Sequence, residues 1–164
     1  MLTALFFTIG ITATPPDACA VLSARDIARV QGTKHTKTRL TESTDAGLSI
    51  SQCRYTLPRF TDSVTVDLIR GGTRAFWQKH FADEYTRAGV IPAGHEHDAA
   101  SASHPPRAVP GVGEQAVWSG NRLSGALYVL QGNTVIRISA GGGGTEEQKI
   151  DRAKKLAQRV VRKL

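Results

Sequence analysis

His95-Glu96-His97-Asp98, with His104 close behind, gathers imidazoles and carboxylates in one short stretch. A His-x-His step with acids beside it can hold zinc, copper or nickel if the segment folds around the ion. His95, His97 and His104 are therefore the metal candidates, and the residues of the enzyme alternative, a metal-dependent or hydrolytic one. Ala99 to Ser103 and Pro105-Pro106 share the stretch, and nothing in the spacing holds a ligand geometry. The plainer reading is a solvated polar loop. No other acid–base set assembles. Ser124-Gly125 lacks the Gly-x-Ser-x-Gly elbow of a serine nucleophile. His80 and Glu84 stand at i,i+4 on one helix face and read as a surface pair. Asp83 and Glu84 are adjacent and point differently. No cofactor is implied.

Charge is the second resource. The chain has 21 Lys and Arg against 14 Asp and Glu, a formal net charge of +7. Such an excess suits an anionic partner: nucleic acid, an acidic polymer or anionic lipid headgroups. The C-terminal stretch concentrates it, and Lys154, Lys155, Arg159 and Arg162 are the anion-binding candidates. No aromatic residues interleave there for base stacking, so a solubilising face is the plainer reading. The glycine run 141–144 precedes a helix start, where a phosphate could sit. It lacks a following Gly-Lys-Ser/Thr, and Glu146 and Glu147 would repel an anion. It reads as a hinge.

The cysteines and the N-terminus bear on compartment. Cys19 and Cys53 are too far apart for a C-x-x-C metal or redox pattern. An even count in an exported domain suggests a disulfide; the alternative is two small buried hydrophobes inside the cell. Residues 2–13 form an uncharged apolar stretch followed by Thr14-Pro15-Pro16. About 12 apolar residues is signal-peptide length and too short to span a membrane. Ala13 and Ala18 are tolerable cleavage positions, although the first basic residue is Arg25. The expected organisation is a leader or its remnant over 1–18 and one domain over 19–164. Export to the periplasm or beyond makes nucleic acid a poor partner and leaves an unknown envelope component as the expected one. Pro16-Asp17-Ala18 before Cys19 is not a lipobox, which argues against a lipid anchor.

These residues need a scaffold. The chain has 164 residues, 40% apolar and 21% charged, which is ordinary globular composition and excludes wholesale disorder, collagen and coiled coil. Ser23 and Asp26 form a cap, and Gly32 a stop, for a first helix over 17–32. A polar, Thr-rich edge strand follows over 33–42. Alternation predicts strands over 48–57, with a shift between Gln52 and Cys53, and over 63–70. Trp77, Phe81, Tyr85 and Ala88 recur at helical spacing over 73–88. Residues 90–113 read as one long loop. Strands over 114–118, 123–131 and 134–140 form a meander divided by turn signals at Ser119-Gly120-Asn121 and Gly132-Asn133. Thr145 and Gln148 cap a last helix whose seam is Ile150, Ala153, Ala157, Val160 and Leu164. Hairpin-length links imply an α+β domain, a mainly antiparallel sheet covered by helices. A pocket, if formed, is expected between the long loop and the sheet edge near Trp118 and Tyr128.

Three stretches together carry a resemblance: Asp17-Ala18-Cys19-Ala20-Val21-Leu22-Ser23-Ala24-Arg25-Asp26-Ile27, then Cys53-Arg54-Tyr55, then Val109-Pro110-Gly111-Val112-Gly113-Glu114-Gln115-Ala116. With Leu127 to Asn133 and the closing helix in the same order, the chain resembles small exported bacterial domains of unknown function. Many of those are lipoproteins, from which this chain departs. The resemblance implies a PsbP-like α/β/α sandwich with a disulfide from first helix to strand. It implies no reaction and no catalytic residues. The leading expectation is an exported, disulfide-stapled accessory or binding module of the cell envelope.

Overall fold

The computed structural model describes residues 15–82, 104–120 and 124–164. Helix α1 (Ala24–Gln31) leads into strands β1 (Lys37–Asp45), β2 (Leu48–Thr56) and β3 (Val64–Arg70), with a single 3-10 turn at Phe60–Asp62 before β3. Helix α2 (Thr73–Trp77) runs into a π-turn at Gln78–Ala82. Strands β4 (His104–Ala108), β5 (Gln115–Gly120), β6 (Gly125–Gln131) and β7 (Thr134–Ala140) follow, and helix α3 (Glu146–Val161) closes the chain. The strands make one seven-stranded sheet in the order β1-β2-β3-β7-β6-β5-β4. Every neighbouring pair is antiparallel. The α+β expectation thus holds, with helices on both faces of the sheet.

The first helix is shorter than its pattern predicts. Asp17 Oδ1 accepts from the backbone N–H groups of Cys19 and Ala20, at 2.8 and 2.9 Å. That local turn competes with helix. The helix starts only where Ser23 and Asp26 bond each other's backbone N–H groups, and Gly32 ends it at φ 79°. Cys19 therefore sits in the turn before α1, bonded to Cys53 of β2 with Cα atoms 5.0 Å apart. The expected boundary between leader and domain falls inside packed structure. Ala18 is fully buried and its N–H donates to Ser51 Oγ, while Pro16 O accepts from Arg70.

Strand β2 needs no shift. Its register with β1 and β3 is unbroken. Ser51, Cys53, Tyr55 and then Leu57 face one side; Leu48, Ile50 and Gln52 face the other. Period-two geometry alone gives that split. The first side is the closed face. There α1 and α3 pack against the sheet through Ile27, Ile150, Ala153, Leu156, Ala157 and Val160, over Val64, Val66, Leu68, Leu127, Ile136 and Ile138. Each fully buried valine, leucine or isoleucine among them contributes roughly 1.5–3 kcal/mol. Tyr55 is buried here too, its hydroxyl donating to the Ala18 and Cys19 carbonyls. Burial pushes that phenol well above its usual range.

Two further expectations change. The long loop over 90–113 contains an edge strand, β4, whose pairing with β5 slips between His104 and Arg107. Pro105 and Pro106 lack N–H groups, which confines that segment to an edge. The glycine run 141–144 is pinned rather than hinged. Gly141 N donates to Ser63 O and Gly142 N to Thr61 O, at 2.9 and 2.8 Å. Arg152 donates to the carbonyls of Gly142 and Gly143. Gly141 lies so close that a Cβ there would overlap the Thr61 carbonyl. The helix expected over 73–88 is described to residue 82, and its remainder lies outside the described residues.

Candidate functional site

Among the described residues, the second face of the sheet is covered at one end only. Reading across the strands, its side chains fall into three rows. In the first, Ile50, Ile69, Val135 and Leu130 stand side by side. Trp77 and Phe81 of the α2 segment close over this row, with Val117 beneath and Leu48, Phe76 and Tyr128 at its rim. Trp77 Nε1 donates to Gln115 Oε1 at 2.8 Å, which fixes the segment on the sheet.

The second row is Gln52, Asp67, Arg137 and Tyr128, one residue from each of four neighbouring strands. Arg137 Nη1 meets Asp67 Oδ2 at 2.8 Å, and Gln52 Nε2 donates to Asp67 Oδ1 at 2.8 Å. Arg137 Nε donates to the Tyr128 hydroxyl at 3.1 Å. The Asp67 side chain is only 7% exposed, so pairing is what makes its charge tolerable. Burial alone would lower the Arg137 pKa, but Asp67 and Tyr128 outweigh it and hold the guanidinium more firmly protonated than usual.

The third row is Arg54, Thr65 and Ser139, and no helix of the described residues closes over it. With Gly125, these short side chains floor a groove of about 710 Å³ walled by the 3-10 turn and the glycine run. Arg54 and Arg59 bring positive charge to its wall, and Lys149 adds to it from α3 on the closed face, against Asp62. Lys149 is 9% exposed although it stands on α3. Phe60 is 66% exposed and lies under the Arg54 guanidinium, 5.9 Å from ring centre. Arg59 pairs with Asp62 at 3.7 Å, an exposed contact of little strength. In register, Arg54 stands directly opposite Arg39 of β1. Like charges so placed are unfavourable, so this strip of the face is electrostatically open to an anion.

Those of the residues singled out from sequence that are described are dispersed. His95 and His97 lie outside the described residues, and His104 opens β4 as its backbone pairs with Gly120. Among the helix cations, Lys155 pairs with Asp151 at 2.7 Å and Arg159 with Asp26 of α1 at 3.2 Å. Lys154 lies against Gly111, and Arg162 is exposed at the helix end. Burial would raise the Asp26 pKa, but its bonds to Ser23 and the charges of Lys163 and Arg159 hold it below the usual carboxylate value. Trp118 and Tyr128 stand on opposite faces of the sheet. Trp118 faces α3 and donates to Glu146 Oε1 at 2.8 Å, whereas Tyr128 faces Phe81 on the other side. Tyr128 stands opposite Val117, so one residue's offset sends Trp118 to the far face. The turn over 108–117 has its own recess of about 410 Å³, without either aromatic in its wall.

Sequence reasoning missed Arg54, Arg59 and Lys149. A signal was present. The open-face positions of β2 read Leu48, Ile50, Gln52, Arg54, and those of β7 read Val135, Arg137, Ser139. Both run from apolar to polar along the strand.

No protein-family model matches the chain, and no curated protein does. Among solved structures, the extracellular domain of PknH from Mycobacterium tuberculosis is similar in fold. The TM-score is 0.58 at 16% identity, over 91% of this chain and 98% of that one. At that identity the likeness speaks for the fold alone, and the fold it supports is an α+β domain built on a helix-covered antiparallel sheet.

Proposed function

We propose that this chain is an exported, disulfide-stapled binding module of the cell envelope that takes an acidic polysaccharide in the open-face groove. The observation that carries the reading is the groove itself: Arg54, Arg59 and Lys149 around a hydroxyl-lined floor, with an exposed Phe60. Guanidinium groups suit carboxylates, and an exposed ring suits a sugar face. The Cys19–Cys53 bond belongs with an oxidising compartment. It also commits the Cys19 sulfur, which supports a domain without a lipid anchor. The extracellular location of the PknH domain is consistent with this assignment. The resemblance to small exported bacterial domains with a PsbP-like sandwich is part of the same proposal. Of the two cleavage positions, the one after Ala13 keeps the contacts of Pro16 and Ala18, and is the one we assign.

Titration calorimetry with polygalacturonate, neutral dextran and anionic phospholipid vesicles tests the reading. The expected result is binding to polygalacturonate alone, weakening as salt screens the charges. Arg54→Ser should weaken it about ten-fold, the scale of one charge-assisted hydrogen bond. Lys155→Ser on the outer face of α3 should leave it unchanged. Binding to vesicles only, or loss with Lys155→Ser and not Arg54→Ser, would overturn the groove assignment.

A further inference from the structure

We infer that strand β1 is a self-recognition edge through which two copies of this chain pair antiparallel. All nine residues of β1 are exposed, so the strand brings no side chain to the core. Its pairing with β2 is unbroken from end to end. Among the described residues no strand pairs with its outer side, which presents an even row of backbone donors and acceptors, the template for another strand. The opposite edge of the sheet is different. There β4 carries Pro105 and Pro106 and a slipped register, both of which block strand addition.

The charges select the occupant. β1 begins with Lys37 and Arg39 and ends with Glu42 and Asp45. An antiparallel pair on a two-fold axis through Thr41 sets Lys37 opposite Asp45 of the second copy, and the reverse. Arg39 then lies diagonal to the same aspartate, and Thr38 stands opposite Thr44 of the second copy. Leu40, 42% exposed, lies diagonal to Leu40 of the second copy. Each of these is a favourable cross-strand pairing. A parallel arrangement would place Lys37 on Lys37 and Asp45 on Asp45, which is repulsive. The two-fold is normal to the sheet, so both open faces, with their grooves, lie on one side of the pair.

Sedimentation equilibrium of the oxidised full chain tests this. A reversible dimer of twice 17.6 kDa is expected. No disulfide can link it, because the two cysteines are bonded to each other. Lys37→Asp and Asp45→Lys should each weaken the dimer about ten-fold, and the double variant should return it to within about three-fold of the parent. Within one chain Lys37 stands opposite Thr56 and Asp45 opposite Leu48, so neither reversal meets a charge directly opposite on β2, and unchanged thermal melts should confirm folding. A monomer up to millimolar concentration, a dimer indifferent to both reversals, or a double variant that does not recover would overturn the proposal.

Discussion

The two faces of one sheet are built from the same seven strands and come out differently. The closed face is apolar along its central strands up to Arg70 and Thr134 at one end, and two capped helices and a disulfide finish it. The other face is apolar for one row, ionic for the next and, among the described residues, open at the third. Alternate residues of a single strand serve both, so Val64, Val66 and Leu68 secure the core while Thr65, Asp67 and Ile69 grade from groove to cover. Stability is concentrated where both helices pack. Binding chemistry is left where cover stops, because only there can charged side chains remain partly hydrated while held by a rigid ladder.

Substitutions can break or sharpen this contrast. The largest effect is expected from the staple. Opening Cys19–Cys53 with reductant, or replacing both cysteines by alanine, should cost about 3–4 kcal/mol by loop-closure entropy for a separation of 34 residues. Urea unfolding with and without reductant measures it, and the native protein should resist alkylation until reduced. A loss under about 1 kcal/mol would mean that the closed face owes little to its crosslink.

Next comes the ionic row. Arg137→Met strands the buried Asp67 carboxylate and should cost about 2 kcal/mol, less than a fully buried pair because the arginine side chain is 35% exposed. Asp67→Asn combined with Arg137→Met should recover part of that loss in the same unfolding assay. If the single variant is neutral, the row belongs functionally with the open groove rather than with the core.

Asp26 is expected to matter less, at about 1 kcal/mol for Asp26→Asn near neutral pH, through the α1 cap and the pairing to Arg159. Its folded pKa lies below the ordinary 3.8. The stability it adds is therefore complete above that value and is lost as pH falls through the lower folded value. Unfolding free energy followed from pH 6 downward should fall less steeply for the asparagine variant. Equal slopes would show that the α1–α3 contact does not depend on this charge.

The smallest effect on stability belongs to the groove. Arg54→Ser and Arg59→Ser should each leave unfolding free energy within about 0.5 kcal/mol while weakening polygalacturonate binding. A substantial destabilisation would make these arginines part of the scaffold.

Much of the fold was legible residue by residue. Ser23 with Asp26 and Thr145 with Gln148 are capping boxes in the structure as their spacing predicted. The exposed Thr-rich edge, the meander from Gln115 to Ala140 and the apolar seam of α3 from Ile150 to Val160 follow from side-chain alternation and helical period, whereas Leu164, expected in that seam, lies past the helix end and is exposed. The site was much less legible. Histidine density drew attention to His95 and His97, which lie outside the described residues, and Trp118 and Tyr128, expected beside one pocket, are sent by parity to opposite faces. Arg54 is an unremarked residue between a cysteine and a tyrosine until its neighbours across the sheet are known.

The sequence by itself determined the features decided within a few residues of chain: caps, stops, strand alternation and the chemical opportunity for a disulfide. Each depends on short-range hydrogen bonding or on the period of one element. Tertiary structure alone decided that β3 lies beside β7, and so that Asp67 meets Arg137, 70 residues away in the chain. It also turned the glycine run from a joint into a pinned wall, since the carbonyls of Thr61 and Ser63 that hold it come from a distant turn. Register and strand order are set by the joint burial of many side chains, and no local pattern contains that sum.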